Sequence, residues 1–485
     1  MEVPSVTIRF GTDGWRAVIA DQFTYHNVRL VTQAIANYLG EAGLGRREVL
    51  VGYDTRFAAE HFAQEVSRVL AGNSLAVGLT ASDVPTPVLA HAVLHRRAAG
   101  AIMLTASHNP PQYLGLKFIP EYGGPAQSDV TAAIEEQIVR VQRAEASGNM
   151  VVRTLDLEQG RRQGLVDTVD PRIDYVEHLM SVVGTAPLSR GVEVVYDAMY
   201  GTGRHYVAEA LENLGVRVHR LHDRRDPLFG GGAPEPTAQH LQELIRAVRS
   251  RQGALGLATD GDADRFGVVD EDGTYLTPNE VLAIVADYLL GVRQMRGSIV
   301  RTVATTHVLD RLAAQFGVTA RETPVGFKHV GAWMRRENVT LGGEESGGMS
   351  IAGHIPEKDG ILAVLLVTRI WAEGGISLRR RLAAIHERVG PATGRRVDMP
   401  IASDEVKRRI LDHLASQPPD RWAGQRVDKV VVMDGVKVIL ESGAWWLLRA
   451  SGTEPLMRLY LEAPDAGLVD GMEREVRQLV ARMGA

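Results

Sequence analysis

Three short apolar runs, each ending in an aspartate, constrain the fold most strongly. They are VLVGYD at Val49–Asp54, VEVVYD at Val192–Asp197 and ALGLATD at Ala254–Asp260. Unbroken apolar runs of this length are typical of strands buried on both faces of a largely parallel sheet. Amphipathic stretches follow the first two runs, at Ala58–Leu70 and Arg204–Leu214, as expected for crossover helices. The sequence therefore predicts an α/β fold.

Changes in pattern along the chain predict four domains. The length of 485 residues already suggests about three or four, at roughly 150 residues per domain. Glu145–Pro171 has mixed charge and little apolar periodicity, which is typical of a linker or an exposed hairpin. Gly390–Thr393 precedes a final segment, Arg395–Ala485, whose strands and helices predict a smaller α+β unit. The predicted domains are residues 1–165, 166–277, 278–390 and 391–485.

Composition excludes several classes of function. The chain has no cysteine, so it has no disulfide, thiolate nucleophile or cysteine zinc site. With 54 basic and 59 acidic residues, its net charge of −5 argues against nucleic acid or a membrane surface as a partner. The start of the sequence lacks the apolar region of a signal peptide, and no stretch of 18 apolar residues lacks a charge. We therefore expect a soluble, cytoplasmic protein.

Five polar loops, each at the end of a predicted strand, carry the chemical signals, and two are the strongest. Asp260–Arg265 (DGDADR) places three carboxylates at alternate positions, which suits a hard divalent cation such as Mg²⁺. A calcium-binding EF-hand loop would need glycine where this chain has Arg265. Thr105–Pro110 (TASHNP) presents the hydroxyl of Ser107 on a turn. Alternatively, the carboxylates cap a helix in solvent and the serine only closes the turn.

The other three loops contain groups that suit a substrate. Gly342–Gly348 (GGEESGG) combines flexible glycines with an acceptor and a hydroxyl that suit vicinal hydroxyls. Arg449–Pro455 (RASGTEP) offers a guanidinium, hydroxyls and backbone amides for a phosphate. Phe10–Ala17 (FGTDGWRA) carries Arg16, which could also meet an anion. The alternatives are a flexible loop, a helix cap at Ser451 and a solvated arginine on a turn.

Together, in this order, the five loops resemble those of the α-D-phosphohexomutase superfamily, in particular the phosphoglucomutase/phosphomannomutase family, over nearly the whole chain. The resemblance implies four domains in a heart-shaped arrangement. The first three would share a mixed α/β sheet core, and the fourth would be a smaller α+β domain. It implies an isomerase of carbohydrate metabolism that moves a phosphoryl group between the 1- and 6-positions of a hexose through a phosphoserine. Mg²⁺ is the implied cofactor, glucose 1,6-bisphosphate the implied intermediate and activator, and small sugar phosphates the implied partners.

The resemblance also implies a role for each matching residue. Ser107 matches the serine that is phosphorylated and whose phosphate is a ligand to Mg²⁺, and Lys117 matches the general acid/base. The other implied metal ligands are Asp260, Asp262 and Asp264. The other implied catalytic residues are His108 and Arg16. The implied substrate-binding residues are Arg265, Lys328, Glu344, Ser346, Arg449, Ser451, Gly452 and Thr453.

The sugar loop predicts glucose as the substrate. GEES resembles the loop of phosphoglucomutases, whereas GEMS is typical of dual glucose/mannose enzymes and GEQS of phosphoglucosamine mutases. Pro324–Lys328 (PVGFK) also resembles the phosphoglucomutases. RASGTEP resembles both glucose and glucosamine enzymes, and Leu114 stands where the family usually has asparagine. Mannose phosphate or glucosamine phosphate is therefore the alternative substrate, with the same mechanism. We expect the protein to be a monomer or a homodimer.

Two other classes of protein fit some of the same residues. A magnesium-dependent phosphatase of the haloacid-dehalogenase type would use Asp260 as nucleophile and Asp262 as acid/base. A Ca²⁺- or sugar-binding protein without catalytic activity would need the loops but not the chemistry of Ser107. Only a phosphohexomutase would lose its turnover when Ser107 is replaced, so this loss would exclude both the phosphatase and the binding protein.

Overall fold

The computed structural model describes residues 8–10, 14–149, 152–188, 191–451 and 456–484. Within these residues the strands form four sheets, each built from one consecutive part of the chain. Helices separate most of the strands in the first three sheets. This order confirms the predicted α/β class and the α+β unit at the end of the chain. The limits of the predicted domains stay a prediction.

The first sheet has six strands, and five helices accompany it. In chain order its elements are β1 (Trp15–Val18), α1 (Tyr25–Glu41), β2 (Val49–Tyr53), α2 (Ala59–Gly72), β3 (Val77–Thr80), α3 (Thr86–His95), β4 (Gly100–Leu104), β5 (Tyr113–Pro120), α4 (Ser128–Ala146), α5 (Leu157–Arg162) and β6 (Val166–Val169). The strand order is β1-β5-β4-β2-β3-β6. β1, β5 and β4 pair antiparallel, and the other neighbours pair parallel. The predicted strand VLVGYD corresponds to β2, whose first four residues are buried.

The segment Glu145–Pro171 contains secondary structure that the sequence did not predict, and its interpretation as a linker or exposed hairpin is wrong. Its described residues include α5 and β6, and β6 pairs with β3 at the edge of the first sheet. Within β6, Val166 is buried, while Asp167 and Thr168 are exposed. An edge strand with one buried residue has too little apolar periodicity to be recognised from sequence.

The second sheet has five strands. Its part of the chain contains α6 (Arg172–Val183), β7 (Glu193–Asp197), α7 (Val207–Asn213), β8 (Arg217–Leu221), α8 (Gln242–Arg249), β9 (Leu255–Thr259), β10 (Phe266–Val269) and β11 (Tyr275–Leu276). The strand order is β11-β10-β9-β7-β8, with β9, β7 and β8 parallel and β10 antiparallel to both of its neighbours. The predicted strands VEVVYD and ALGLATD correspond to β7 and β9.

The third sheet has four strands and two long helices after it. Its part of the chain contains α9 (Pro278–Asp287), β12 (Ser298–Thr302), α10 (Val308–Phe316), β13 (Ala320–Thr323), α11 (Phe327–Met334), β14 (Val339–Gly343), β15 (Met349–Ile351), α12 (Gly360–Gly374) and α13 (Leu378–Val389). The strand order is β13-β12-β14-β15, in which only β15 is antiparallel.

The fourth sheet is antiparallel throughout its described pairs. Its part of the chain contains β16 (Thr393–Pro400), α14 (Asp404–Ser416), β17 (Arg421–Trp422), β18 (Gln425–Val431), β19 (Val436–Leu440), β20 (Trp445–Ala450), β21 (Leu456–Ala463) and α15 (Ala466–Gly484). The strand order is β16-β21-β20-β19-β18-β17.

Helix α12 connects the third part of the chain to the second. The Asp359 side chain caps it by accepting hydrogen bonds from the backbone amides of Ile361 and Leu362. Its first residue, Gly360, donates to the carbonyl of Ala263 at 3.0 Å, and a Cβ there would lie 2.3 Å from the carbonyl oxygen of Arg265. Glycine is therefore required for the helix to approach the Asp260–Arg265 loop. Among the described residues no single helix is long and apolar enough to cross a membrane; α12 and α13 together pass that test, but with an 83° bend between them.

Three histidines stack where the first three parts of the chain meet. The ring of His91 on α3 lies 4.7 Å from that of His178 on α6. His178 Nε2 is 3.1 Å from His354 Nδ1, and His354 Nε2 is 2.7 Å from an oxygen of Asp359. Burial, and to a smaller extent the neighbouring His178, His354 and His95, lower the pKa of His91 to about 4. His91 is therefore neutral in the folded protein at physiological pH.

The buried His91 makes stability depend on pH. Its folded-state pKa of about 4 lies below its ordinary value of 6.5, so between these values the unfolded chain binds more protons. Stability is therefore lost as the pH falls from about 6.5 to about 4, by up to about 3 kcal/mol. We expect His91→Gln to reduce this loss, as measured by urea unfolding at pH 7 and pH 4.5. The exposed His61→Gln is the control, and equal pH dependence in both variants would contradict the assignment.

Candidate active site

The serine and carboxylate loops meet although they follow strands of different sheets. Ser107, three residues after β4, is 1% exposed and has a φ of 50°, in the left-handed region. Its Oγ donates a hydrogen bond to Asp260 Oδ2 at 2.9 Å and lies 3.4 Å from His108 Nδ1. The structure thus brings Ser107, His108 and the Asp260–Arg265 loop into one cluster.

The three carboxylates of this loop are fully buried and close together. One oxygen from each of Asp260, Asp262 and Asp264 lies within 4.8 Å of the others. Burial and the two neighbouring carboxylates raise the pKa of Asp260 well above its ordinary value. Oδ1 of Asp262 and Oδ1 of Asp264 accept no hydrogen bond from any described residue. Three buried carboxylates that converge in this way, two of them with an oxygen that accepts no hydrogen bond, fit a hard divalent cation such as Mg²⁺.

Two lysines from other parts of the chain offset this negative charge. Lys117 on β5 places Nζ 3.0 Å from Asp262 Oδ2 and 3.1 Å from Asp264 Oδ2. Lys358, which directly precedes the cap of α12, lies 3.1 Å from the same oxygen of Asp264. Although burial raises the pKa of Asp262, Lys117, Thr86 and Lys358 hold it below its ordinary value. The sequence does not predict Lys358, whose only local signal is its position beside the capping aspartate of an apolar helix.

Arg16 lies in strand β1, so its expected place on a turn is wrong. The last three residues of the motif FGTDGWRA lie in β1, and its residues 11–13 lie outside the described residues. Arg16 Nη1 donates to Asn109 Oδ1 at 2.8 Å, so the guanidinium contacts the serine loop. Arg265, the last residue of the carboxylate loop, lies 3.7 Å from Glu235.

The sugar loop follows β14 in the third sheet. Glu344 is 5% exposed, and its Oε1 accepts a hydrogen bond from the backbone amide of Gly326 at 2.9 Å. Ser346 is half-buried in the same turn. Lys328, on α11, donates to Ser128 Oγ at 3.1 Å and so contacts the start of α4. The hydrogen bond between Gly326 and Glu344 thus brings the PVGFK and GEES segments into direct contact.

The predicted phosphate loop follows β20 in the fourth sheet. Arg449 Nη2 lies 2.9 Å from Asp434 Oδ2, and the same oxygen accepts from the backbone amide of Val325 at 3.0 Å. Ser451 is buried, and its carbonyl accepts from Lys407 at 3.3 Å. Asp434 thus connects this loop to the third part of the chain. Gly452 and Thr453 lie outside the described residues.

Comparison with known proteins shows which family has these four parts of the chain in this order. Four family descriptions match in chain order: phosphoglucomutase/phosphomannomutase alpha/beta/alpha domain I at residues 7–145, domain II at 173–273, domain III at 277–389 and the C-terminal domain at 414–479. The chain belongs to the phosphoglucomutase/phosphomannomutase family. It is therefore a phosphohexomutase by family, which confirms the resemblance seen in its loops.

Relatives of this family with different names are similar over almost the whole chain. A probable phosphoglucosamine mutase of Methanothermobacter thermautotrophicus is 31% identical over 93% of both chains. A phosphoglucomutase/phosphomannomutase of Thermococcus kodakarensis is 29% identical over 94% of both. The crystal structure of a putative phosphomannomutase from Thermus thermophilus is 35% identical, with a TM-score of 0.82 over 98% of this chain and 99% of that one.

The carboxylate cluster gives a prediction about metal binding. Asp264→Asn removes one of three charged ligands and leaves Lys117 and Lys358 less neutralised, which repels a cation. We expect the affinity for Mn²⁺, used as a probe, to fall by more than about 10-fold. Isothermal titration calorimetry measures this directly. The control is Asp428→Asn on the exposed side of β18, and an Asp264→Asn variant that binds Mn²⁺ as the control does would contradict the site.

Proposed function

We propose that this phosphohexomutase interconverts glucose 1-phosphate and glucose 6-phosphate through phospho-Ser107 and glucose 1,6-bisphosphate. The hydrogen bond between Ser107 Oγ and Asp260 Oδ2 carries the proposal. It places a hydroxyl oxygen beside a buried carboxylate cluster to which two lysines are already bound. Transfer of a phosphoryl group depends mainly on position and on neutralised charge, and this cluster supplies both.

Each group in the cluster has a proposed task. Asp260, Asp262 and Asp264 would hold Mg²⁺, which when bound neutralises oxygens of the transferred phosphoryl group. Lys117 is the proposed general acid/base that exchanges the proton of the sugar hydroxyl. The remaining charge near the reacting oxygen would be offset by Arg16, His108 and Arg265.

In the proposed cycle the sugar must be held in two orientations. Phospho-Ser107 donates its phosphoryl group to the free hydroxyl of a sugar monophosphate, and the hydroxyl proton leaves as the new ester bond forms. The bisphosphate then turns over and returns its other phosphoryl group to Ser107. The non-reacting phosphate would bind at the RASGTEP loop in either orientation. The proposed binding residues are Lys328, Arg449, Ser451, Gly452 and Thr453.

Glucose is the proposed sugar because of the groups that would meet its ring. Glu344 offers acceptors and Ser346 a hydroxyl that both donates and accepts, which suits neutral vicinal hydroxyls. Activity on mannose or glucosamine phosphate, with the same residues, is the alternative. A cytoplasmic location and a monomeric or homodimeric state stay predictions.

A coupled assay tests the reaction and the sugar together. We expect fast conversion of glucose 1-phosphate with Mg²⁺ and a trace of glucose 1,6-bisphosphate, and its loss in Ser107→Ala. Ser250→Ala, an exposed serine at the end of α8, is the control that keeps full activity. Faster conversion of mannose or glucosamine 1-phosphate would refute glucose as the sugar. Turnover that survives in Ser107→Ala would refute the phosphoserine mechanism.

The predicted phosphate loop is tested by a binding effect. Arg449→Ala removes a charged contact made equally in ground and transition states, so KM should rise with little change in kcat. We expect a rise of about 10- to 100-fold, the loss of one charge-assisted hydrogen bond. Steady-state kinetics on the best sugar phosphate measure it, with Arg426→Ala on the exposed side of β18 as control. An unchanged KM would remove Arg449 from the binding site.

A further inference from the structure

We propose that Arg56 is the positioning residue that holds Ser107 in its reactive conformation, with Asp54 and Thr105 as its partners. The inference deepens the proposed function, since it concerns the same serine. Arg56 lies in the short segment between β2 and α2, and it is fully buried. No motif in the sequence analysis includes it.

The guanidinium of Arg56 uses all five of its N–H groups on the serine loop and its support. Nε donates to Asp54 Oδ2 at 3.1 Å. Nη2 and Nη1 each donate to two backbone carbonyls, three in the loop after β4 and one at the first residue of β5. They belong to Ser107 at 2.6 Å, Asn109 at 2.7 Å, Pro110 at 2.9 Å and Tyr113 at 3.0 Å. A guanidinium is the side chain whose five donors form such a rigid fork.

A second chain of hydrogen bonds fixes the other side of Ser107. The Ser107 amide donates to Thr105 Oγ1 at 2.9 Å, and that hydroxyl donates to Asp54 Oδ2 at 2.6 Å. Asp54 also accepts from the backbone amide of Arg56 at 2.9 Å. The amide and the carbonyl of Ser107 are therefore both tied to the Asp54–Arg56 pair.

Ser107 needs this support because of its backbone conformation. A φ of 50° is uncommon for a residue with a Cβ, and such a conformation persists only where the surroundings fix it. In this conformation the hydroxyl reaches Asp260. A shift of about 1 Å in a reacting group is enough to cost about 100-fold in rate. Arg56 thus acts through Ser107 and is not itself placed to touch the sugar.

Lysine at position 56 tests the proposal, since it keeps the charge but not the fork. We expect Arg56→Lys to lower kcat by about 100-fold and to change KM less than about threefold, because the sugar and its phosphate bind elsewhere. The control is Arg369→Lys on α12. Arg369 is a buried arginine that donates to the carbonyls of Gly184 and Ala186 and to Glu373. We expect Arg369→Lys to lower the free energy of unfolding but to change kcat by no more than about twofold.

Thr105 supplies a second pair of variants that keeps both Asp54 and Arg56. Thr105→Val removes the acceptor of the Ser107 amide and the donor to Asp54, so kcat should fall. Thr105→Ser keeps the hydroxyl and both hydrogen bonds, so its kcat should stay close to that of the wild type. These variants decide the question if Arg56→Lys does not fold. Equal kcat values for the valine and serine variants, or for Arg56→Lys and the control, would overturn the proposal.

A crystal structure of Arg56→Lys separates this inference from the proposed reaction. We expect Ser107 to leave the left-handed region and its Oγ to move out of hydrogen-bonding distance of Asp260. This readout holds even if the wild-type protein converts no hexose phosphate, a result that would refute the proposed function alone. A serine loop that is unchanged in the variant would overturn the positioning role, whatever the substrate.

Discussion

The burial of three carboxylates in one loop is the constraint on which the rest of the structure depends. Buried like charges are costly unless other charges or a metal compensate them. Here the compensation comes from Lys117, on a strand of the first sheet, and from Lys358, at the start of α12. The charge of one loop in the second part of the chain therefore requires the first and third parts to pack against it.

The same meeting point explains why small and strained residues lie there. Gly360 allows α12 to approach the Asp260–Arg265 loop, where any side chain would collide with a carbonyl. Ser107 adopts a left-handed conformation that brings its hydroxyl to Asp260, and the buried Arg56 binds the carbonyls of its loop. Transfer of a phosphoryl group requires a fixed backbone and compensated charge at one place, since positioning and electrostatic stabilisation supply most of the rate.

Local patterns are sufficient to predict some of the strands, each as a short apolar run. β2, β7 and β9 are recognisable because each is an apolar run that ends in a polar loop. Lys358 and Arg56 were missed because their partners are distant in sequence: Lys358 meets the loop of β9, and Arg56 meets carbonyls more than 50 residues away. The sequence predicts a turn at Arg16 because the alternating burial of β1 extends over only four residues, too few to indicate a strand.

The proposed binding of a phosphate by Arg449 would be an exchange of partners, because its guanidinium already forms an ion pair with Asp434. The carboxylate occupies part of the guanidinium and also holds the amide of Val325 in the third part of the chain. An incoming anion that takes this guanidinium competes with an internal one, so its net affinity is the difference between two ion pairs. The displaced carboxylate is then released from its arginine but not from its amide. An anion bound to Arg449 would thereby alter a contact with the third part of the chain, and the competing carboxylate would lower the net affinity for that anion.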